Sequence, residues 1–126
     1  SKVLTDTQLK ALADFLKDGQ INDTLYIDYA TKKPKGAVDL ANGQSKYSRP
    51  CATCHGATGK SINFGTDAAP VYIGTLAADN PWEFVHKTLF GQPGPEGEAM
   101  PPVITRGWTM QDMMDALAYA QTLPAK

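Results

Sequence analysis

The segment Cys51-Ala52-Thr53-Cys54-His55 groups three reactive side chains within five residues, and it contains the chain's only two cysteines. A disulfide between them would close a tiny loop and stabilise the chain little by the loop-entropy argument. A dithiol redox pair calls for a βαβ setting with the pair opening a long helix, and the strand-like runs this requires are missing. A tetrahedral zinc site needs four ligands; the chain offers two Cys and two His, His55 and His86, unless carboxylates join. The remaining chemistry is covalent haem attachment, for which Cys-x-x-Cys-His is a recognised signature. Two thiols three residues apart on a helical turn reach the two vinyl groups on one porphyrin edge. The adjacent imidazole then projects under the ring to the iron. Such a short match also arises by chance, so the chain must also supply a second iron ligand and a wrapping loop.

Four methionines compete for the second ligand: Met100, Met110, Met113 and Met114. The last three fall at spacings that suit ordinary core filling by a helix. Met100 precedes Pro101-Pro102, in a stiffened loop that can carry a thioether across a flat cofactor. His86 is the rival. It lies one turn after Trp82 and near Leu89 and Phe90, on what reads as an apolar helix face, where a lone His is more often a core residue. A soft thioether would raise the reduction potential relative to a second imidazole and leave no site for a substrate. An empty sixth position would instead suit a haem enzyme or a gas-binding sensor. Trp82, Trp108 and Tyr72 are candidates for hydrogen bonds to the haem propionates, or simply packing residues.

These residues need helices to hold them. Thr5 and Gln8 form a capping box, with Leu4 and Leu9 as a staple, for a helix that stops at Gly19. A polar connection follows, broken at Lys32-Lys33-Pro34-Lys35-Gly36. A second helix is expected from Ala37 to Arg49, with a kink or restart forced by Pro50 just before Cys51. From Gly56 to Ala78 no periodicity persists, which suits a loop wrapped around a large cofactor. Asn80-Pro81-Trp82-Glu83 opens a third helix with Trp82, Val85, Leu89 and Phe90 on one face, ended by Gly91. A Pro/Gly loop from Gln92 to Pro102 leads to a last helix capped at Thr109, which stops before Pro124.

The 126 residues fit one domain. Twelve basic against thirteen acidic side chains argue against a nucleic-acid footprint. No apolar run approaches the roughly 20 residues needed to span a bilayer, so no transmembrane segment is expected and the mature chain reads as soluble. Residues 1–50 carry eight Lys or Arg against six Asp or Glu. Lys32, Lys33, Lys35, Lys46 and Arg49 are therefore candidates for a docking patch facing an acidic partner, or a solvated surface.

From Ala37 to Pro124 the residues resemble class I cytochromes c of the bacterial type. Gly43 and Tyr47, eight and four residues before Cys51, match the small and aromatic residues that meet an aromatic of the last helix, here Tyr119. Ala99-Met100-Pro101-Pro102 looks like the loop delivering the axial methionine. Pro70, in Ala69-Pro70-Val71-Tyr72, resembles the proline whose carbonyl accepts the proximal His N–H. The resemblance implies an all-α cytochrome c fold around one haem c, bound through Cys51 and Cys54. It implies His55 and Met100 as axial ligands, and electron exchange with redox partner proteins. It also implies a periplasmic location; no export signal is visible, and Ser1 is read as a processed or engineered start. The first 36 residues depart from the pattern and read as an N-terminal helical extension to a haem domain at 37–126. Its apolar stripe needs burial, on the haem domain, in a dimer, or against a second protein.

Overall fold

Thr5 opens α1 (Asp6–Asp14) as expected: its hydroxyl accepts from the Gln8 N–H at 3.2 Å, and its own N–H donates to Gln8 Oε1 at 2.9 Å. In this computed structural model residues 3–95 and 99–126 are described, so Ser1 and the middle of the Gln92–Pro102 loop lie outside the described residues. The helical path continues through a wider turn over Phe15–Gly19, and neither part buries a residue. Beyond it the chain joins the body. Two short strands, β1 (Ile27–Asp28) and β2 (Lys33–Pro34), pair antiparallel. Ile27 is 1% exposed and belongs to the core. The Gln121 side chain donates to the Lys32 carbonyl at 2.6 Å and to that of Ala77 at 2.9 Å. Residues 27–34, expected as part of the extension, thus pack on the body, whereas α1 and the wider turn after it bury nothing.

The helix expected from Ala37 starts later. Asp39 caps α2 (Leu40–Lys46) by accepting from the Ala41 and Asn42 N–H groups. A widened turn over Tyr47–Cys51 absorbs Pro50 and leads directly into α3 (Ala52–His55). Proline lacks an N–H and clashes with the preceding turn, and one wider turn accommodates both defects without ending the helix. The expected long loop is also shorter, because α4 (Ile73–Asp79) begins within it. Ile73, Leu76 and Ala77 stand at helical spacing, a signal too brief to read against the Gly- and Ala-rich background. Then come α5 (Pro81–Phe90), capped by Asn80, and α6 (Met110–Ala120), capped by Thr109 and Asp112. The fold is mostly helical, an all-α arrangement with long connections.

At the crossing of α2 and α6, a side chain at Gly43 would fall on the Asp115 carbonyl oxygen and lie 2.9 Å from Tyr119 Cβ. Tyr47 packs on Tyr119 with ring centroids 5.6 Å apart, the contact expected from the resemblance. Polar groups lock the same crossing. Asp115, 2% exposed, accepts from the Asp39 N–H and from the side chains of Asn42 and Gln111, at 2.8–2.9 Å. Asn42 and Lys46 also reach Asp112, each at 3.1 Å.

Gly43→Ala should cost roughly 2–3 kcal/mol, because backbone meets backbone and no side chain can step aside; urea unfolding of the haem-loaded protein measures it. Acid should open the same crossing. The Thr109 N–H, ahead of Asn42 and Lys46, holds the Asp112 carboxyl down at about 2. Burial pushes Asp115 up, but its hydrogen bonds from Asn42, the Asp39 N–H and Gln111 outweigh it and lower the pKa. Both folded values lie below the unfolded carboxylate value of about 4. Their stabilisation is therefore present above that pH and is lost as pH falls toward 2. The urea midpoint should hold steady from pH 7 to about 5 and then drop, with a shallower drop in Asp112→Asn.

Candidate functional site

The continuous path from α2 to α3 brings Cys51, Cys54 and His55 to the wall of a cavity of about 770 Å³. Phe64 and Val71 line it from the wrapping loop, Ile73 and Leu76 from α4, Phe84 and Thr88 from α5, and Met100 and Val103 from the loop before α6. Mostly apolar walls and a volume in the range of small-molecule sites mark a cofactor-sized chamber. Glu83 and Lys87, paired at 2.6 Å, are its charged border.

His55 is 8% exposed, and burial holds its pKa below the usual imidazole value, so the ring is neutral and its lone pair free at neutral pH. Its Nδ1 is enclosed and has no hydrogen-bond partner among the described residues. The expected bond to the Pro70 carbonyl is therefore not formed, and Pro70 does not line the cavity. The loop closes on itself instead. Asn63 Oδ1 accepts from the N–H groups of Gly65 and Val71, and the Phe64 N–H donates to the Val71 carbonyl. That grip sets Phe64 and Val71 along the chamber wall, Phe64 still half exposed, with its ring 5.8 Å from the His55 ring.

Cys51 is buried and Cys54 is exposed, and no disulfide joins them. Burial pushes the Cys51 thiol up to about 11. A redox dithiol depends on a stabilised thiolate, and this site does the reverse. Among the described residues no group of three or more His, Cys, Asp and Glu is placed to hold a metal ion.

Of the four methionines, Met100 alone lines the cavity among the described residues. Its N–H and carbonyl pair with those of Gln92, both at 2.9 Å. Met113 and Met114 are buried on α6 in the main core, with Met110 packed against it. His86 is exposed rather than on the apolar face. It faces Phe90, also exposed, at 6.0 Å, because Phe84 and Thr88 take the cavity side of α5 and Val85 and Leu89 the core side. None of the three propionate candidates lines the cavity either. Trp82 packs on Tyr29, Trp108 lies under the Lys46 ammonium and Tyr72 under that of Lys60. Sequence reasoning missed Phe64, Val71, Phe84, Thr88 and Val103. The i, i+4 pair Phe84 and Thr88 was the one readable signal.

These residues fit a haem: paired thiols, a neutral imidazole with an unsatisfied nitrogen, and apolar walls around a chamber of the right order of size. An all-α chain built around such a chamber is a c-type cytochrome domain. A family model described as "Cytochrome C oxidase, cbb3-type, subunit III" matches residues 38–119, and the chain belongs to this family of class I, mono-haem c-type cytochromes. No curated protein matches the chain. No solved structure matches it either. The family makes it an electron-transfer protein that carries haem c. No described helix is long and apolar enough to cross a membrane.

Gly91 holds the Met100 segment in place. Its φ is 75°, and a Cβ there would strike the Met100 carbonyl oxygen and lie 3.0 Å from Pro102 N. Gly36 also has positive φ, 79°, but nothing stands within 4 Å of its would-be Cβ. Gly36→Ala should therefore cost about 1 kcal/mol, the dihedral penalty alone, whereas Gly91→Ala should cost at least about twice that; urea unfolding of both variants makes the comparison.

Proposed function

We propose that the protein is a one-electron carrier or small electron-transfer subunit. One haem c is bound through thioethers of Cys51 and Cys54, with His55 and Met100 as axial ligands. The observation that carries this reading is the convergence of the Cys-x-x-Cys-His segment and a single methionine on one apolar chamber. Bound haem supplies a one-electron Fe(III)/Fe(II) couple; the chain supplies ligands, burial and orientation. A neutral His55 is ready to ligate without first losing a proton. The Gln92 pairing fixes the backbone that presents the Met100 sulfur, and the apolar walls keep water from the ring. No catalytic acid–base pair or nucleophile is needed for this work.

The unit that carries the haem runs from about Ile21 to the end of the chain, with α1 as an extension. Haem c attachment outside the cytoplasmic membrane, which the family resemblance implies, supports a periplasmic site. A redox partner with an acidic surface is favoured by a shallow cleft lined by Ser45, Lys46, Arg49, Pro50, Arg106 and Trp108. Among the described residues neither arginine has an ion-pair partner, and Pro50 borders both this cleft and the haem chamber. Lys32 and Lys35 contribute less, because their ammonium groups donate to the carbonyls of Asp79 and Thr24.

Met100→Ala should lower the reduction potential by on the order of 0.1 V, within the ~0.8 V that axial ligands command. It should also let carbon monoxide bind rapidly to the reduced protein. Met113→Leu, a swap that roughly conserves volume in the core, should leave potential and spectrum unchanged. Potentiometry and carbon monoxide titration of the wild type and both variants test this. Rapid carbon monoxide binding by the wild type would instead indicate a haem enzyme or gas sensor.

A further inference from the structure

The chain's most exposed apolar surface lies far in sequence from the haem chamber. Val3, Leu4, Leu9, Leu12, Phe15 and Leu16 are between 46% and 85% exposed, and α1 buries no residue. At 100° per residue along α1 and a smaller step through the wider turn, Leu9, Leu12, Phe15 and Leu16 fall within one arc of about 120–140°. Lys10 and Asp14 occupy the opposite side, with Asp6 and Lys17 on one flank of the arc and Thr7 and Asp18 on the other. The four residues on this arc expose on the order of 400 Å², the size of the largest apolar patch on a typical monomer and often functional, and about half of the ~800 Å² per partner of a standard interface.

The charges bordering this face point to what covers it. Lys10 is paired within the helix to Asp14 at 2.7 Å. Asp6 and Lys17 have no ion-pair partner among the described residues. They lie on the same flank of the apolar arc, opposite in sign and eleven residues apart, about 16 Å along the axis. In an antiparallel helix pair, like flanks face each other with direction reversed. A second copy thus sets its Lys17 against Asp6 and its Asp6 against Lys17, making two ion pairs related by a twofold axis. A parallel copy would set this flank against the one bearing Thr7 and Asp18, with no such match.

We propose that α1 is a dimerisation element that pairs antiparallel with α1 of a second copy through Leu9, Leu12 and Leu16, with Asp6 and Lys17 fixing the direction. The proposal is independent of the iron ligands, since haem content and potential are read separately from assembly.

Sedimentation velocity of the haem-loaded protein over a wide concentration range tests it. A reversible monomer–dimer equilibrium is expected, and Leu12→Glu/Leu16→Glu should leave monomer alone with an unchanged haem spectrum. Asp6→Lys or Lys17→Asp alone should weaken the dimer on the order of tenfold, as like charges replace two exposed pairs. The double swap Asp6→Lys/Lys17→Asp should recover it. Each swap also opposes the helix dipole, so the isolated helix would predict the double variant to be the weakest. A wild type monomeric throughout, a dimer indifferent to Leu12→Glu/Leu16→Glu, or a double swap no better than the single ones would each overturn the proposal. The first of these would leave the face to a different protein.

Discussion

The approach of α2 to α6 at Gly43 sets the geometry of everything that follows in the chain. With no side chain at that position, the α2 backbone rests against the Asp115 carbonyl, closer than any residue with a Cβ would allow. Tyr47, one turn further on, packs against Tyr119, and its hydroxyl donates to the Gly56 carbonyl at 2.7 Å. Gly56 directly follows His55. The crossing is thereby tied by a short series of contacts to the end of α3, and so to the direction in which the imidazole points. A buried carboxylate is a costly lock unless both of its oxygens accept hydrogen bonds. Asp115 meets that condition, and this explains how an acid survives at 2% exposure in the middle of α6.

The core is divided by what the chain leaves unfilled. On one side Met113, Leu117, Val85 and Ala77 are packed to essentially zero exposure. On the other, Phe64, Val71, Phe84 and Met100 surround open volume. A chain of this length has little apolar surface to spare, so a chamber of about 770 Å³ is sustained by what fills it. A haem supplies an apolar disc in place of missing side chains, and the loop from Gly56 to Tyr72 can then be long without being loose. Its internal bonds, centred on Asn63, give it one shape before any cofactor contact is counted.

What could be read from sequence was local chemistry. The Cys-x-x-Cys-His spacing, the Thr5, Asn80 and Thr109 caps, and the proline-stiffened setting of Met100 are each written within a few residues. Tertiary choices were not so written. The exposure of His86 depends on which of two adjacent faces of α5 meets the chamber, and Trp82 misdirects because its partner, Tyr29, lies 53 residues earlier. Ile27 stands beside Leu25, Tyr26 and Tyr29, which read as equally able to make contacts, and the hairpin made by Asp28 is what turns Ile27 inward. The helix α4 was hidden by its small residues, which permit close packing but carry little hydrophobic signal. At Pro70 the proline is present, but Asn63 holds the N–H of the next residue, Val71, and it is Phe64 and Val71 that line the chamber.

The two proposed ligands share one mechanical property that suits electron transfer. A centre that exchanges single electrons works best when its ligands need not move between oxidation states. His55 sits on a turn of helix continuous with α2 and anchored through Gly56 to Tyr47. Met100 sits on backbone paired twice with Gln92, at the end of α5, and just before Val103, whose N–H donates to the Thr88 carbonyl of that same helix. α5 in turn packs on α6, which meets α2 at Gly43. Both ligand-bearing segments are therefore referred to one frame of three helices. Three methionines pack within that frame or against it, where their flexibility fills space. The fourth is set apart on a backbone held too firmly to follow it.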